Sequence, residues 1–123
     1  MDKKLESKLT LIVNRLLQDD IKSFKIGKSK NAENRFDDDD YKTCHLFSIV
    51  ATGNSNIINQ AEKDLINYFR KHKTLGGKCL NRNVGGGNPD ATEVYFAAQL
   101  QNADYNDHLV DPKQLFNFNP VEL

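Results

Sequence analysis

Apolar residues recur at helical spacing over residues 5–17, LESKLTLIVNRLL, where Leu5, Leu9, Ile12 and Leu16 share a face and Leu17 lies alongside. The spacing predicts an amphipathic helix, although the LTLIV centre also has the composition of a strand. The polar QDDIK then turns the chain, and SFKIG (23–27) reads as a short strand. Asn31 can cap a short helix over 32–38 that carries Ala32, Arg35 and Phe36. The acid run at 37–40 would sit at that helix's negative end, so it marks a solvated loop. CHLFSIVAT (44–52) is a near-continuous apolar run ending in Gly-Asn-Ser, the pattern of a buried, central strand. Asn54 or Ser55 caps the longest helix, NIINQAEKDLINYFRKHK. A segment rich in glycine and asparagine (74–90) is expected to hold one short strand at 78–81, and ATEVYFAAQL supplies the last strand. Beyond Gln101 the apolar anchors are Phe116, Phe118 and Val121. The order predicts a small α/β (α+β) fold: a single domain over 1–123, with a core at about 5–100 and a C-terminal extension at 101–123. Its centre would be a sheet of three to four strands with flanking helices.

Composition narrows the function classes. Seventeen Lys and Arg balance seventeen Asp and Glu, so no global field draws the chain toward nucleic acid and any anion site must be local. No apolar run approaches the ~20 residues of a membrane span, and MDKKLESKL lacks a signal peptide's apolar region. The expected setting is therefore the cytoplasm, with no membrane partner. Cys44 and Cys79 are expected to be reduced and packed. With His45 and His72 they would form a zinc set, but their spacings are not those of short-range ligand pairs.

One residue breaks the pattern of the long helix. Ile58, Ala61, Leu65, Ile66 and Phe69 form a stripe, and Glu62 falls inside it, one turn from Ile58 and one from Ile66. A carboxylate on a core-facing stripe costs free energy unless it is paired, hydrogen-bonded or bound to a metal. Two readings follow: a structural ion pair or an edge position reaching solvent, and a metal ligand in a cleft shared with Arg35.

The stretch FKIGKSKNAENRF (24–36) bears on that choice. It resembles the second signature of the GIY-YIG nuclease superfamily, in which a strand ends in Ile-Gly, a polar Lys-Thr/Ser pair follows and an arginine stands on the next helix. Lys25 before Ile26-Gly27 is most similar to the branch whose strand reads Tyr-Lys-Ile-Gly-Lys-Thr. The family continues with a strand, a helix bearing a metal-binding glutamate and a later asparagine, matched here by HLFSIVA, Glu62 and Asn81. The resemblance covers residues 23 to about 98 and implies a GIY-YIG-like fold acting on or binding nucleic-acid phosphodiesters, DNA before RNA, or a nucleotide.

What the resemblance implies residue by residue is a catalytic set of Arg35, Glu62 and Lys28. Arg35 would hold the scissile phosphate bidentately. Glu62 would bind Mg²⁺ or Mn²⁺, which polarises the phosphate and stabilises the leaving oxygen. Lys28 would touch phosphate, Gly27 would let backbone approach the substrate, and Asn81 would support the site. Lys25, Ser29 and Arg82 complete the expected substrate contacts. The family's first signature should precede Phe24, but no Gly-Ile-Tyr is present and the segment 5–17 takes its place. The usual second tyrosine is Lys25, and the residue a turn beyond the arginine, often histidine, is Asp39. Lys25, Lys28, Tyr41 and His45 are the stand-ins for proton transfer, and the sequence does not select among them.

Three expectations therefore stand side by side. The first is a metal-dependent endonuclease, and the second a catalytically degenerate protein that binds nucleic acid or a nucleotide in the same cleft. The third is an interaction module whose LFNFNPVEL tail docks on a partner or on a second copy of the chain. The segment GGKCLNRNVGGGNPD (76–90) could cradle a phosphate through clustered backbone N–H groups, but it has no Walker Lys-Ser/Thr and opens no helix. It therefore reads first as a mobile loop, with Arg82 on it a candidate anion contact. The basic RKHK (70–73) is accounted for by helix-end capping as well as by nucleic-acid contact.

Overall fold

A computed structural model describes residues 1–36, 44–101 and 113–123. The acid run, Asp39, Tyr41 and the polar stretch at 102–112 lie outside the described residues. In chain order the elements are helices α1 (Lys3–Glu6) and α2 (Leu9–Gln18), strand β1 (Ile21–Ser29), helix α3 (Ala32–Phe36) and strand β2 (Leu46–Thr52). Helix α4 (Ser55–Arg70), strand β3 (Glu93–Leu100) and the two-residue strands β4 (Lys113–Gln114) and β5 (Val121–Glu122) follow. The fold is a small α+β domain built on a mixed sheet, as the element pattern predicts.

β3 lies between β1 and β2, antiparallel to both, while β4 and β5 run parallel to β2 along its other edge. The middle of the three long strands is thus β3, not the apolar run at 44–52. Its residues from Val94 to Ala98 are all buried, so both of its faces are covered. One face carries Phe24 and Ile26 of β1 with Val94, Phe96 and Ala98 of β3, and packs on α4. The other face carries Phe47, Tyr95 and Ala97 and receives Ala32 of α3.

The helices follow the apolar stripes with two corrections. The segment 5–17 is interrupted at Ser7–Lys8, where the Ser7 hydroxyl donates to the Lys4 carbonyl at 2.6 Å and competes with the backbone ladder. Leu5, Ile12 and Leu16 are buried as expected, but Leu17 is exposed. In α4 the Asn54 side chain accepts from the Ile57 N–H at 3.1 Å and caps the helix. The inward face of α4 is Ile58, Ala61, Glu62, Leu65, Ile66 and Phe69. At α3 the first N–H, on Ala32, donates to the Glu93 carboxylate at 3.0 Å, so β3 fixes the start of the helix that carries Arg35.

The strand expected at 78–81 is instead a 3₁₀ turn (Gly76–Lys78) followed by a single bridge from Cys79 to Phe24. The Leu80 N–H donates to the Phe24 carbonyl at 2.8 Å, and then the Asn81 side chain replaces the backbone as partner. Its Oδ1 accepts from the Ile26 N–H at 2.8 Å and its Nδ2 donates to the Ile26 carbonyl at 2.7 Å. An amide side chain thereby satisfies both groups of an edge residue, which leaves the backbone of residues 82–87 to diverge from the sheet.

The tail expected to meet a partner is docked on its own sheet. Leu115 and Phe116 are buried, and the Ser48 hydroxyl accepts from their N–H groups at 2.8 and 3.0 Å. Ser48→Ala is expected to cost about 1–3 kcal/mol, because it strips an acceptor from buried donors. Leu115 keeps only a long 3.4 Å contact to the Phe47 carbonyl. Urea denaturation of wild type beside the variant measures this. Among the described residues no helix is long and apolar enough to cross a membrane.

Candidate functional site

β1 is an edge strand, and its pleat alternates its backbone groups between β3 and the outside. Phe24 and Ile26 bond outward, to Leu80 and Asn81. Two residues on, at Lys28, the same outward direction opens on a cleft of about 360 Å³. Its walls are the end of β1, α3, the inner face of α4 and the glycine loop.

The cleft brings together most of the residues singled out from the sequence. Lys25, Gly27, Lys28, Arg35, Glu62 and Asn81 all line it, and Arg82 does too. Ser29 does not: its hydroxyl accepts from the Asn31 N–H at 3.1 Å and shapes the turn into α3. The Asn81 amide is engaged with Ile26, so it holds the wall of the cleft in place. His45 lies outside the cleft, at the entry to β2. Its Nδ1 accepts from the Leu100 N–H at 3.3 Å, and its buried Nε2 finds no partner among the described residues.

Glu62 is buried, and Lys28 reaches it from β1 with Nζ 3.7 Å from Oε1. The same ammonium donates to the Asn59 Oδ1 at 2.7 Å, and the Asn59 Nδ2 donates to the Pro89 carbonyl at 3.1 Å. Lys28 and Asn59 therefore tie β1, α4 and the far end of the glycine loop together. Burial pushes the Glu62 carboxyl above the ordinary carboxylate range, and outweighs the opposing pull of Lys28, Lys25 and Lys63. Burial also pushes the Cys44 thiol up to about 11 against the pull of Lys25, and raises Cys79. Both cysteines are free. Among the described residues no three His, Cys, Asp or Glu side chains cluster for a metal.

The loop itself is built on Gly85, Gly86 and Gly87, with φ of 89°, 90° and 73°. Left-handed backbone at three successive positions needs glycine. A Cβ on Gly85 would stand 2.9 Å from the Lys63 side chain, so the loop also lies close on α4. Gly85, Gly86 and Gly87 line the same cleft as Lys28 and Arg82.

Two members of the site escaped the sequence reading. Asn59 carries no signal beyond its place one turn before Glu62. Tyr95 is paired opposite Gly27 across β1 and β3 and lines the cleft. A Cβ at residue 27 would overlap its hydroxyl and Cζ. Gly27 thus accommodates a phenol rather than a close approach of substrate to backbone, and its φ is not in the left-handed region. Alternation in YF would have put one of Tyr95 and Phe96 on each face, but only the strand register shows that Tyr95 meets the glycine.

Does this donor set fit the divalent cation implied by the resemblance? Mg²⁺ is held through one or two carboxylates and its own waters. The Glu62 carboxylate already faces an ammonium, and an ion bound to it would lie a few ångströms away from that ammonium. Two unit charges about 4 Å apart repel by roughly 4 kcal/mol at an effective dielectric near 20, and a double charge doubles that. With Lys28 held in place by Asn59, the arrangement does not fit a metal at Glu62. Comparison of the chain with protein-family models, with curated proteins and with solved structures finds no match.

Proposed function

We propose that the cleft is a GIY-YIG-like nuclease-type site that takes the phosphodiester backbone of nucleic acid, with DNA the first choice. The observation that carries this reading is the convergence of Lys25, Lys28, Arg35 and Arg82 on one cleft in a chain of zero net charge. Arg35 and Arg82 are both exposed and can reach a ligand without leaving a core position. A guanidinium pairs two phosphate oxygens at once, and clustered backbone N–H groups add donors without charge. The volume lies near the lower end of ligand pockets, enough for one phosphate with its sugar and not for a duplex cross-section. The duplex or single strand would lie outside, with one phosphodiester seated.

Arg35→Ala and Arg82→Ala are each expected to weaken binding of a labelled DNA about tenfold. Each would also lower the slope of log K against log salt by about one, as loss of one phosphate contact should. Fluorescence anisotropy across a salt series measures both, and variants as tight and as salt-sensitive as wild type would refute the assignment. Stronger binding of a mononucleotide than of any oligonucleotide would redirect it to nucleotides.

A second reading, hydrolysis of the seated diester, draws on Tyr95. Tyr95 lines the cleft that also receives Arg35, and a phenol can serve as a proton acceptor or donor. Incubation of duplex and single-stranded DNA with wild type, Tyr95→Phe and Glu62→Ala tests it. Cleavage by wild type that is lost in Tyr95→Phe supports an enzyme, and binding without cleavage supports the first reading alone.

A further inference from the structure

Lys28 is an expensive residue to bury, and the fold surrounds it with fixed partners. Its stem passes the glycine loop, where a Cβ on Gly87 would stand 3.7 Å from the Lys28 Cε. Its ammonium is directed by Asn59 at 2.7 Å and by Glu62 at 3.7 Å. Asn59 is itself held by the Pro89 carbonyl, so the direction is set by two elements outside β1. A lysine ammonium has three N–H donors. Asn59 takes one and Glu62 attracts a second, so a third is left for the cleft that Lys28 lines.

We propose that Lys28 is the resident cation of the cleft, standing at Glu62 in the place of a divalent ion. A phosphate diester entering the site then meets a fixed ammonium and guanidinium groups beside the glycine loop, and needs no metal to be held. Glu62 acts as a positioning residue: it compensates the lysine charge in a buried place and keeps the ammonium aimed. The phosphate part of this inference rests on the phosphodiester reading above, whereas the cation part stands on the Lys28, Glu62 and Asn59 geometry alone.

Two measurements on the full chain separate these parts. In the first, Mn²⁺ is added to ¹⁵N-labelled protein near pH 8 and paramagnetic broadening of the backbone amides is followed up to about 1 mM, the range of weak carboxylate sites. Wild type is expected to show no selective broadening at Gly27, Lys28 and Glu62. Lys28→Gln keeps a donor for Asn59 but removes the charge, and should gain broadening centred on Glu62 that is lost again in Lys28→Gln/Glu62→Gln. Broadening at Glu62 in wild type that Glu62→Gln abolishes would overturn the proposal, as would a Lys28→Gln variant as indifferent to Mn²⁺ as wild type.

In the second, DNA binding is measured in EDTA and in Mg²⁺ at matched ionic strength. Equal affinity is expected, together with a loss of about tenfold or more in Lys28→Gln. A strict requirement of wild type for Mg²⁺ would overturn the proposal even if the first measurement agreed. If DNA does not bind at all while the Mn²⁺ pattern holds, the phosphodiester reading falls and the assignment of Lys28 as resident cation remains.

Discussion

Replacement of Phe96 by alanine is expected to be among the most damaging single changes to the fold, lowering stability by about 3–5 kcal/mol. The ring is fully buried in β3 and meets three others. It stacks on Phe24 with centroids 6.0 Å apart, and makes edge contacts with Phe69 at 5.5 Å and Phe116 at 5.3 Å. Those partners come from β1, α4 and the tail, so the cavity left by Phe96→Ala would loosen three separate attachments. A domain of this size has roughly 5–15 kcal/mol in total, and each kcal/mol moves the midpoint by about 4 °C. A fall of about 12–20 °C in thermal midpoint is therefore expected, with weakened tail docking visible as faster amide exchange at Leu115 and Phe116. Tyr68→Ala serves as control, since that ring is more than a third exposed and touches Phe69 from outside. A loss below about 1 kcal/mol for Phe96→Ala would mean that these attachments are independent.

How far the site could be read without coordinates depends on which physical signal each residue carries. The α4 stripe was legible in full, Glu62 included, because helical periodicity and a misplaced carboxylate are both local to the sequence. A strand before the helix of Arg35 was legible for the same reason, but its ends were not: β1 runs Ile21–Ser29, taking in Ile21 and Lys22 from the segment read as a turn and passing Gly27. Sheet order was not legible. An apolar run such as 44–52 announces burial, but which neighbour buries it is set by pairing among distant segments. The tail carried little periodic signal, and two-residue strands that use Ser48 as an acceptor leave no pattern to find. Asn81 was identified as a member of the site, but its work on the Ile26 backbone follows from the third dimension alone. The partner of Glu62 lay in plain view as Lys28, yet a lysine after Ile-Gly reads equally well as a phosphate contact and as a buried counter-ion. Geometry decides that it is at least the second.

Gly27→Ala is expected to cost about 2–3 kcal/mol and to disturb the cleft as much as the fold. The added Cβ would overlap the Tyr95 hydroxyl and Cζ and stand 2.9 Å from Cε1. Tyr95 is itself 1% exposed and stacks on Phe47 with centroids 5.2 Å apart, so the ring has little room to withdraw. Inserting one carbon into such a place costs about 1–3 kcal/mol, and the upper end applies where the displaced group is aromatic and enclosed. Had the glycine been needed for its backbone freedom, the penalty would arise from φ, but this residue is ordinary strand. The two explanations separate in a double-mutant cycle with Tyr95→Ala. Steric exclusion predicts that alanine at 27 becomes nearly neutral once the ring is gone, a favourable coupling of about 2–3 kcal/mol between neighbouring sites. A cleft in which substrate backbone approaches Gly27 predicts the opposite: stability unchanged by Gly27→Ala, DNA binding reduced, and no coupling to Tyr95. Urea denaturation and anisotropy on the same four proteins distinguish them. The first outcome would assign Gly27 to admitting the Tyr95 ring, and would leave the contacts with ligand to the charged side chains that line the cleft.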